Sequence, residues 1–160
     1  LFIIRKISPA DNAPLEHYIR DIVLNEFKGD PQTTIAGDPV LKTMYENYQV
    51  QGAVYFVAEL DGRLAGGCGI HGLDGSGNDT CELQRMFLVK EARGLGIGKR
   101  LLEMCLEEAR NAGYKAVYLE TLSVMEFAIA FYKRAGFEII NGRLGSTGHT
   151  ACEVCMLKKI

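Results

Sequence analysis

No stretch of apolar side chains in this chain approaches the roughly 20 residues needed to cross a bilayer, so no membrane partner is expected. Charge of one sign is not in excess either: 18 Lys and Arg stand against 20 Asp and Glu, a net −2. Acids and bases are mixed along the chain, which leaves no electrostatic case for nucleic acid. The five cysteines (Cys68, Cys81, Cys105, Cys152 and Cys155) are odd in number and irregular in spacing, unlike a disulfide framework. Cys152 and Cys155 have the spacing of half a zinc site, but no second ligand pair accompanies them. His17, His71 and His149 form no metal-ligand spacing, so no metal is expected. There is no internal repeat and no low-complexity segment. The opening Leu1 to Lys6 is too short and wrongly ordered for a signal peptide, which makes cytoplasm the default location. At 160 residues the chain is expected to fold as one domain over 1–160.

What is present is a glycine-rich turn, Arg93-Gly94-Leu95-Gly96-Ile97-Gly98-Lys99. It follows an apolar run, Met86 to Val89. It opens into a helical pattern with Ile97, Leu101, Leu102, Cys105, Leu106 and Ala109 on one face. The first amides of a helix lack internal partners and the macrodipole adds positive potential there. Glycines let the backbone approach a ligand closely. A strand, a glycine turn and a helix start in that order make an anion site suited to phosphate or pyrophosphate. A P-loop is excluded: with Gly98-Lys99 as its end, its first glycine would fall on Arg93, and Arg100 sits at the hydroxyl position. The dinucleotide pattern fails too, because it demands glycine at Lys99 or Leu101.

Around this turn the elements alternate. Ile3 to Ile7 reads as a strand. Asp11 or Asn12 can cap a helix carrying Leu15, Tyr18, Ile19, Ile22 and Val23. Lys28 to Pro39 reads as a loop and Val40 to Tyr48 as a short helix. Ala53–Leu60 and Arg63–Ile70 form a hairpin about Asp61-Gly62. Gly66-Gly67 would weaken its second arm unless something must approach closely there. Strands follow at Thr80–Val89 and Ala116–Thr121, with the long helix Ile97–Ala112 between them. Ser123-x-x-Glu126 reads as a capping box, with Leu122 and Phe127 as its hydrophobic staple, for a helix ended by Gly136. Phe137–Ile140 and Glu153–Leu157 read as the last strands, joined by a loop with Gly142, Gly145 and Gly148. The order predicts an α/β (α+β) domain of three layers around one central sheet.

The spacing Arg93-x-x-Gly96-x-Gly98 resembles motif A of the Gcn5-related N-acetyltransferase (GNAT) superfamily. Glu82-Leu83-Gln84-Arg85-Met86-Phe87-Leu88 resembles that family's fourth strand, and Ala128 to Phe137 its closing Ala-x-x-Phe-Tyr…Gly-Phe signature. The resemblance implies a mostly antiparallel sheet of about seven strands, with strands four and five splayed around acetyl-CoA. It implies transfer of an acetyl group from that co-substrate to a primary amine of a small molecule, peptide or protein. The alternative is a non-catalytic acyl-CoA-binding sensor or regulator. A nucleotide-binding domain is disfavoured by the failed spacings.

Carried over by position, the amides of Gly94, Leu95, Gly96, Ile97, Gly98 and Lys99, with Arg93 opening the motif, would hold the pyrophosphate. The backbone of Met86, Phe87 and Leu88 would pair with the pantetheine. Lys99 and Arg100 either add charge near the phosphates or lie on a solvated helix face. Met125 stands where many members have an Asn beside the cofactor arm. Tyr132 matches the family's acid for the departing thiolate, or is a core tyrosine with a satisfied hydroxyl. Glu82 matches the general base of some members and Glu120 that of others; either could instead sit in a structural ion pair. His149, after the late glycine loop, is a further proton acceptor or a surface residue. Nothing in the sequence fixes the acceptor amine, and an exposed edge could support a homodimer.

Overall fold

In the computed structural model, which describes residues 1–148 and 150–160, one seven-stranded sheet carries the chain. The elements are β1 (Phe2–Lys6), α1 (Asn12–Asp21), α2 (Met44–Asn47), β2 (Val54–Leu60), β3 (Arg63–Gly72), β4 (Thr80–Leu88), α3 (Ile97–Asn111), β5 (Ala116–Thr121), α4 (Glu126–Arg134), β6 (Glu138–Ile140) and β7 (Val154–Lys159). The spatial order is β1-β2-β3-β4-β5-β7-β6. Only β4 and β5 run parallel. The expected three-layer, mostly antiparallel architecture is therefore the observed one.

Strand β2 shows why both sheet faces are covered. Its side chains alternate, as the pleat requires. Val54, Phe56 and Ala58 join the core beneath α3 and α4, while Tyr55 and Val57 join Leu15, Ile19, Leu41 and Met44 on the opposite face. The expected apolar stripe of α3 is entirely buried: Ile97, Leu101, Leu102, Cys105, Leu106 and Ala109. The hairpin turn is as read, with Asp61 and Gly62 both at positive φ (50° and 78°), the conformation a two-residue type I′ turn needs.

The close approach anticipated at the β3 glycines is made by the Tyr55 ring. A Cβ on Gly67 would lie 2.5 Å from Tyr55 Cε1, and one on Gly69 2.5 Å from Tyr55 Cδ2. The ring thus lies across β3, and its hydroxyl donates to the Arg85 carbonyl on β4 at 2.7 Å.

Two local readings are corrected. The Ser123 box does not form: Met125 stands at the N-cap of α4 without a side-chain cap bond, and Ser123 instead hydrogen-bonds Glu153, which a one-dimensional pattern cannot include. The staple is absent as well, because Phe127 is 94% exposed. Likewise Asp11 stands at the N-cap of α1 but its side chain makes no cap bond. Its carboxylate is buried and held by the Arg5 guanidinium (two bonds of 2.8 Å) and by Ser8. A full charge opposite it is the stronger partner. That pairing holds the Asp11 carboxyl below its ordinary range, against the burial that alone would raise it. The segment read as a loop, Lys28 to Pro39, contains a 3₁₀ turn at Ile35–Gly37 and ends where another, Pro39–Thr43, begins, and α1 runs on into a π-helical turn at Ile22–Glu26.

Candidate active site

The cleft originates in a break of strand pairing. β4 and β5 pair only from Thr80–Ala116 to Glu82–Tyr118. Beyond Glu82 the strands part. The register on the other side of β4 shows the cause: Gly67 opposes Phe87 and Gly69 opposes Gln84, so Cys68 alone faces Arg85 and Met86. This two-against-one bulge bends β4 away from its neighbour. Arg85 takes up the geometry at φ 52°, a left-handed value a residue with a Cβ adopts only at a cost of about 1–3 kcal/mol. The backbone of Met86, Phe87 and Leu88 runs from the bulge onward, on the stretch that β5 does not pair.

At the far end of β4, Arg93 donates from Nε and Nη2 to the Leu88 carbonyl (3.0 and 2.8 Å) and pairs with Glu26 at 2.8 Å. Its side chain braces the strand exit against the π-helical turn. Gly94 and Gly96 follow at φ 77° and 82°, where a Cβ would meet nothing within 4 Å; Gly96 is the N-cap of α3. The first intrahelical bond there runs from the Arg100 amide to the Gly96 carbonyl at 3.1 Å. The amides of Ile97, Gly98 and Lys99 lie ahead of it, and the turn with Leu95 is exposed. Gly98 has a different duty: a Cβ there would press on Met86 Cε at 3.2 Å and Leu88 Cδ1 at 3.3 Å, so the missing side chain lets α3 sit close to β4. Lys99 and Arg100 are exposed and reach Glu103 only at 3.9 and 3.7 Å. An open glycine turn on a helix start, beside an unpaired strand edge, is a chemical fit to a diphosphate followed by an amide-bearing arm.

The cavity between the strands brings Glu82, Glu120 and Tyr132 together, with Gln84, Arg85 and Met125 also on its wall. Glu82 is 7% exposed, and burial pushes its carboxyl up to about 7. Gln84 Nε2 donates to Glu82 Oε2 at 2.6 Å and works against that rise, as does the Arg85 charge. The Gln84 amide has one workable orientation. Its oxygen accepts from Arg85 Nη1 and from the Tyr48 hydroxyl, 2.8 Å away; a guanidinium can only donate, so the NH₂ must face Glu82. Arg85 Nη1 also donates to the Tyr48 hydroxyl at 2.8 Å. Gln84, Tyr48 and Arg85 were not singled out from sequence. For Gln84 and Arg85 the only available signal was their place in the fourth-strand segment; Tyr48, at the end of the short helix, carried none.

Glu120, at 1% side-chain exposure, is bound on every side. It accepts from the Tyr118 hydroxyl and from Thr147 Oγ1, each at 2.7 Å, and has Arg143 Nε at 3.5 Å. The ion-pair alternative raised for it is thus the geometry found. Tyr132 packs edgewise on Phe131 and Phe137, and among the described residues its hydroxyl has no hydrogen-bond partner. Burial raises its phenol well above the ordinary value, so it is a neutral donor at working pH. Met125 lines the cavity, its sulfur accepting from the Thr121 hydroxyl at 3.5 Å. Cys152 lies on the same wall, ahead of β7, and Cys155 is buried within β7. Among the described residues no cluster of His, Cys, Asp and Glu is arranged to hold a metal, and no helix is long and apolar enough to cross a membrane. His149 lies outside the described residues.

Known proteins resemble this chain in sequence and fold. Residues 17–137 match the model of the acetyltransferase (GNAT) family. The uncharacterized N-acetyltransferase YjgM of Escherichia coli (strain K12) is 40% identical over 99% of this chain and 95% of its own. A GNAT-family acetyltransferase of Staphylococcus aureus Mu50 superposes with a TM-score of 0.87 at 25% identity, covering 99% of each chain. A phosphinothricin acetyltransferase of Sinorhizobium meliloti, solved in complex with acetyl-CoA, shares the fold at a TM-score of 0.77 and 23% identity, over 99% of this chain and 88% of its own.

The chain belongs to the GNAT acetyltransferase family. Its activity class is acetyl-CoA-dependent N-acetyl transfer.

Proposed function

We propose that this protein acetylates a primary amine by direct attack on a bound thioester, with Glu82 as general base and Tyr132 as donor to the departing sulfur, residues 1–160 acting as one domain. The observation that carries this reading is the pairing of a lightly held, buried carboxylate with a phenol free to donate, both on the wall of the cavity where β4 and β5 part. Acetyl-CoA would supply the activated acyl group. The amides of Gly94, Leu95, Gly96, Ile97, Gly98 and Lys99 would hold its diphosphate, and the backbone of Met86, Phe87 and Leu88 its arm.

An alkyl ammonium has a pKa near ~10, so the acceptor arrives protonated and cannot attack. Glu82, ionised above about 7, takes one proton and frees the nitrogen lone pair. The C–N bond then forms and the C–S bond breaks. Tyr132 meets the negative charge growing on sulfur with its hydroxyl proton. The second nitrogen proton, shed on collapse, makes good the one the phenol has given. Amide and thiol leave, and Glu82 keeps one proton for solvent. Glu120 is less suited to the base role because Tyr118, Thr147 and Arg143 already occupy its oxygens.

The test is calorimetry with coenzyme A, followed by a thiol-release assay over amines. Binding of coenzyme A and amine-dependent thiol release, reduced in Glu82→Gln and Tyr132→Phe, are the expected results. No heat with coenzyme A would end this reading; binding without release for any amine would leave only the sensor alternative.

A further inference from the structure

Arg85 is the anomaly of the site. It is a charged side chain only 8% exposed, carried on a left-handed backbone, in a cavity that also holds a buried carboxylate. Each of those features costs free energy. The fork is only half used. Nη1 is engaged with Tyr48 and Gln84. Nε is buried and has no hydrogen-bond partner among the described residues. Nη2 forms an ion pair with Asp38 Oδ2 at 3.7 Å, too long for a hydrogen bond. Asp38 lies on a neighbouring cleft and not on the wall of this cavity. The Nε–Nη2 edge, which makes no hydrogen bond among the described residues and has Asp38 only as a long ion-pair partner, is the edge that takes a carboxylate through two parallel bonds.

The bulge also decides what that edge can reach. In a regular strand, residues three apart point to opposite faces. The extra residue in β4 breaks the alternation, and Glu82 and Arg85 both line the one cavity. A proton acceptor and a carboxylate receptor are thus set side by side. No other Lys or Arg lines the cavity among the described residues, and Glu82 and Glu120 would repel a dianion such as a phosphate. The charge arrangement suits one negative group next to one positive group.

We infer that the acceptor is an amine bearing a carboxylate, of the free amino acid class, whose carboxylate is read by the Nε–Nη2 edge of Arg85 while its ammonium faces Glu82. This rests on the acetyl-transfer reading and adds the substrate class to it. Charge neutrality then holds on binding, since a zwitterion meets one cation and one base.

The test compares free amino acids with their carboxamides and decarboxylated amines (leucine, leucinamide and 3-methylbutylamine, for example). Rates are taken per unit of protonated amine, the form that faces Glu82, because the three amines differ in pKa. The wild-type protein should favour the acid by about 10- to 100-fold in kcat/KM, the range of a charge-assisted pair. Arg85→Gln should erase that preference while still binding coenzyme A. Calorimetry of leucine against leucinamide on the protein loaded with coenzyme A gives a second readout that needs no turnover, and wild type alone decides it should the variant not fold. Equal binding of acid and amide, or equal loss for all three amines in Arg85→Gln, overturns the inference and leaves acetyl transfer intact. Failure to bind coenzyme A overturns both.

Discussion

The hydroxyl of Tyr55 on β2 holds the carbonyl of Arg85 on β4, across an intervening strand, at 2.7 Å. The contact exists because Gly67 and Gly69 leave no Cβ in its way. It fastens the one residue whose left-handed backbone opens the cleft.

Removing that hydroxyl should therefore act on the bulge. Tyr55→Phe strands a part-buried carbonyl, a loss of about 1–3 kcal/mol. Gly67→Ala should cost more, since its Cβ would fall 2.5 Å from both the Phe56 carbonyl and the Tyr55 ring. Urea denaturation of both variants checks the order. A Gly67→Ala protein as stable as wild type would contradict the packing described.

With Glu82 as the proposed base, both rate and stability should depend on pH. Its native carboxyl ionises at about 7, against 4.5 for an ordinary glutamate. Activity (kcat/KM) should fall tenfold per pH unit below about 7, and Glu82→Gln should lose that limb. The stability effect has the opposite sign from that of a salt-bridged acid. Between pH 4.5 and about 7 the unfolded chain gives up its proton and the native chain keeps it, so stability declines as pH rises. The total is on the order of 3 kcal/mol. Denaturation curves at pH 5 and pH 8 should show Glu82→Gln gaining on wild type at the higher pH.

Tyr132→Phe separates chemistry from packing. The hydroxyl has no partner among the described residues, so stability should change by less than about 1 kcal/mol. Turnover should fall by about 10²-fold, at the low end of general acid contributions. The limb near pH 7 should stay where it is, because it belongs to Glu82. A variant with unaltered kcat removes Tyr132 from the mechanism.

The glycine turn can be tested by binding alone. Gly96→Ala forces a Cβ onto φ 82° with free space around it, so the cost is conformational, about 1 kcal/mol. Affinity for coenzyme A should drop several-fold with little change in the sheet. Glu120→Gln is the control for the opposite case: it removes the Arg143 ion pair, so stability should suffer while the limb near pH 7 persists.

Local chemistry was enough for most of the architecture. The Asp61-Gly62 turn, the stripe of α3 and the glycine run are set by neighbours in sequence, and each appears where the pattern places it. Glu82, Glu120 and Tyr132 were candidates because their spacing resembles a known family, and all three line one cavity. Where a distant partner competes, the local signal failed: Ser123 turned to Glu153, and Asp11 turned to Arg5. The division of labour between the two glutamates was likewise beyond the linear chain. Glu120 is tied by Arg143 and Thr147, more than twenty residues on, whereas the hydrogen bond to Glu82 comes from Gln84, two residues away. A proton affinity depends on burial and on the charges packed around a group, and those arise only when β4, β5 and the late loop come together. The bulge at Arg85 is the same kind of fact, since strand register is settled between chains of contacts across the sheet and no periodicity within β4 announces it.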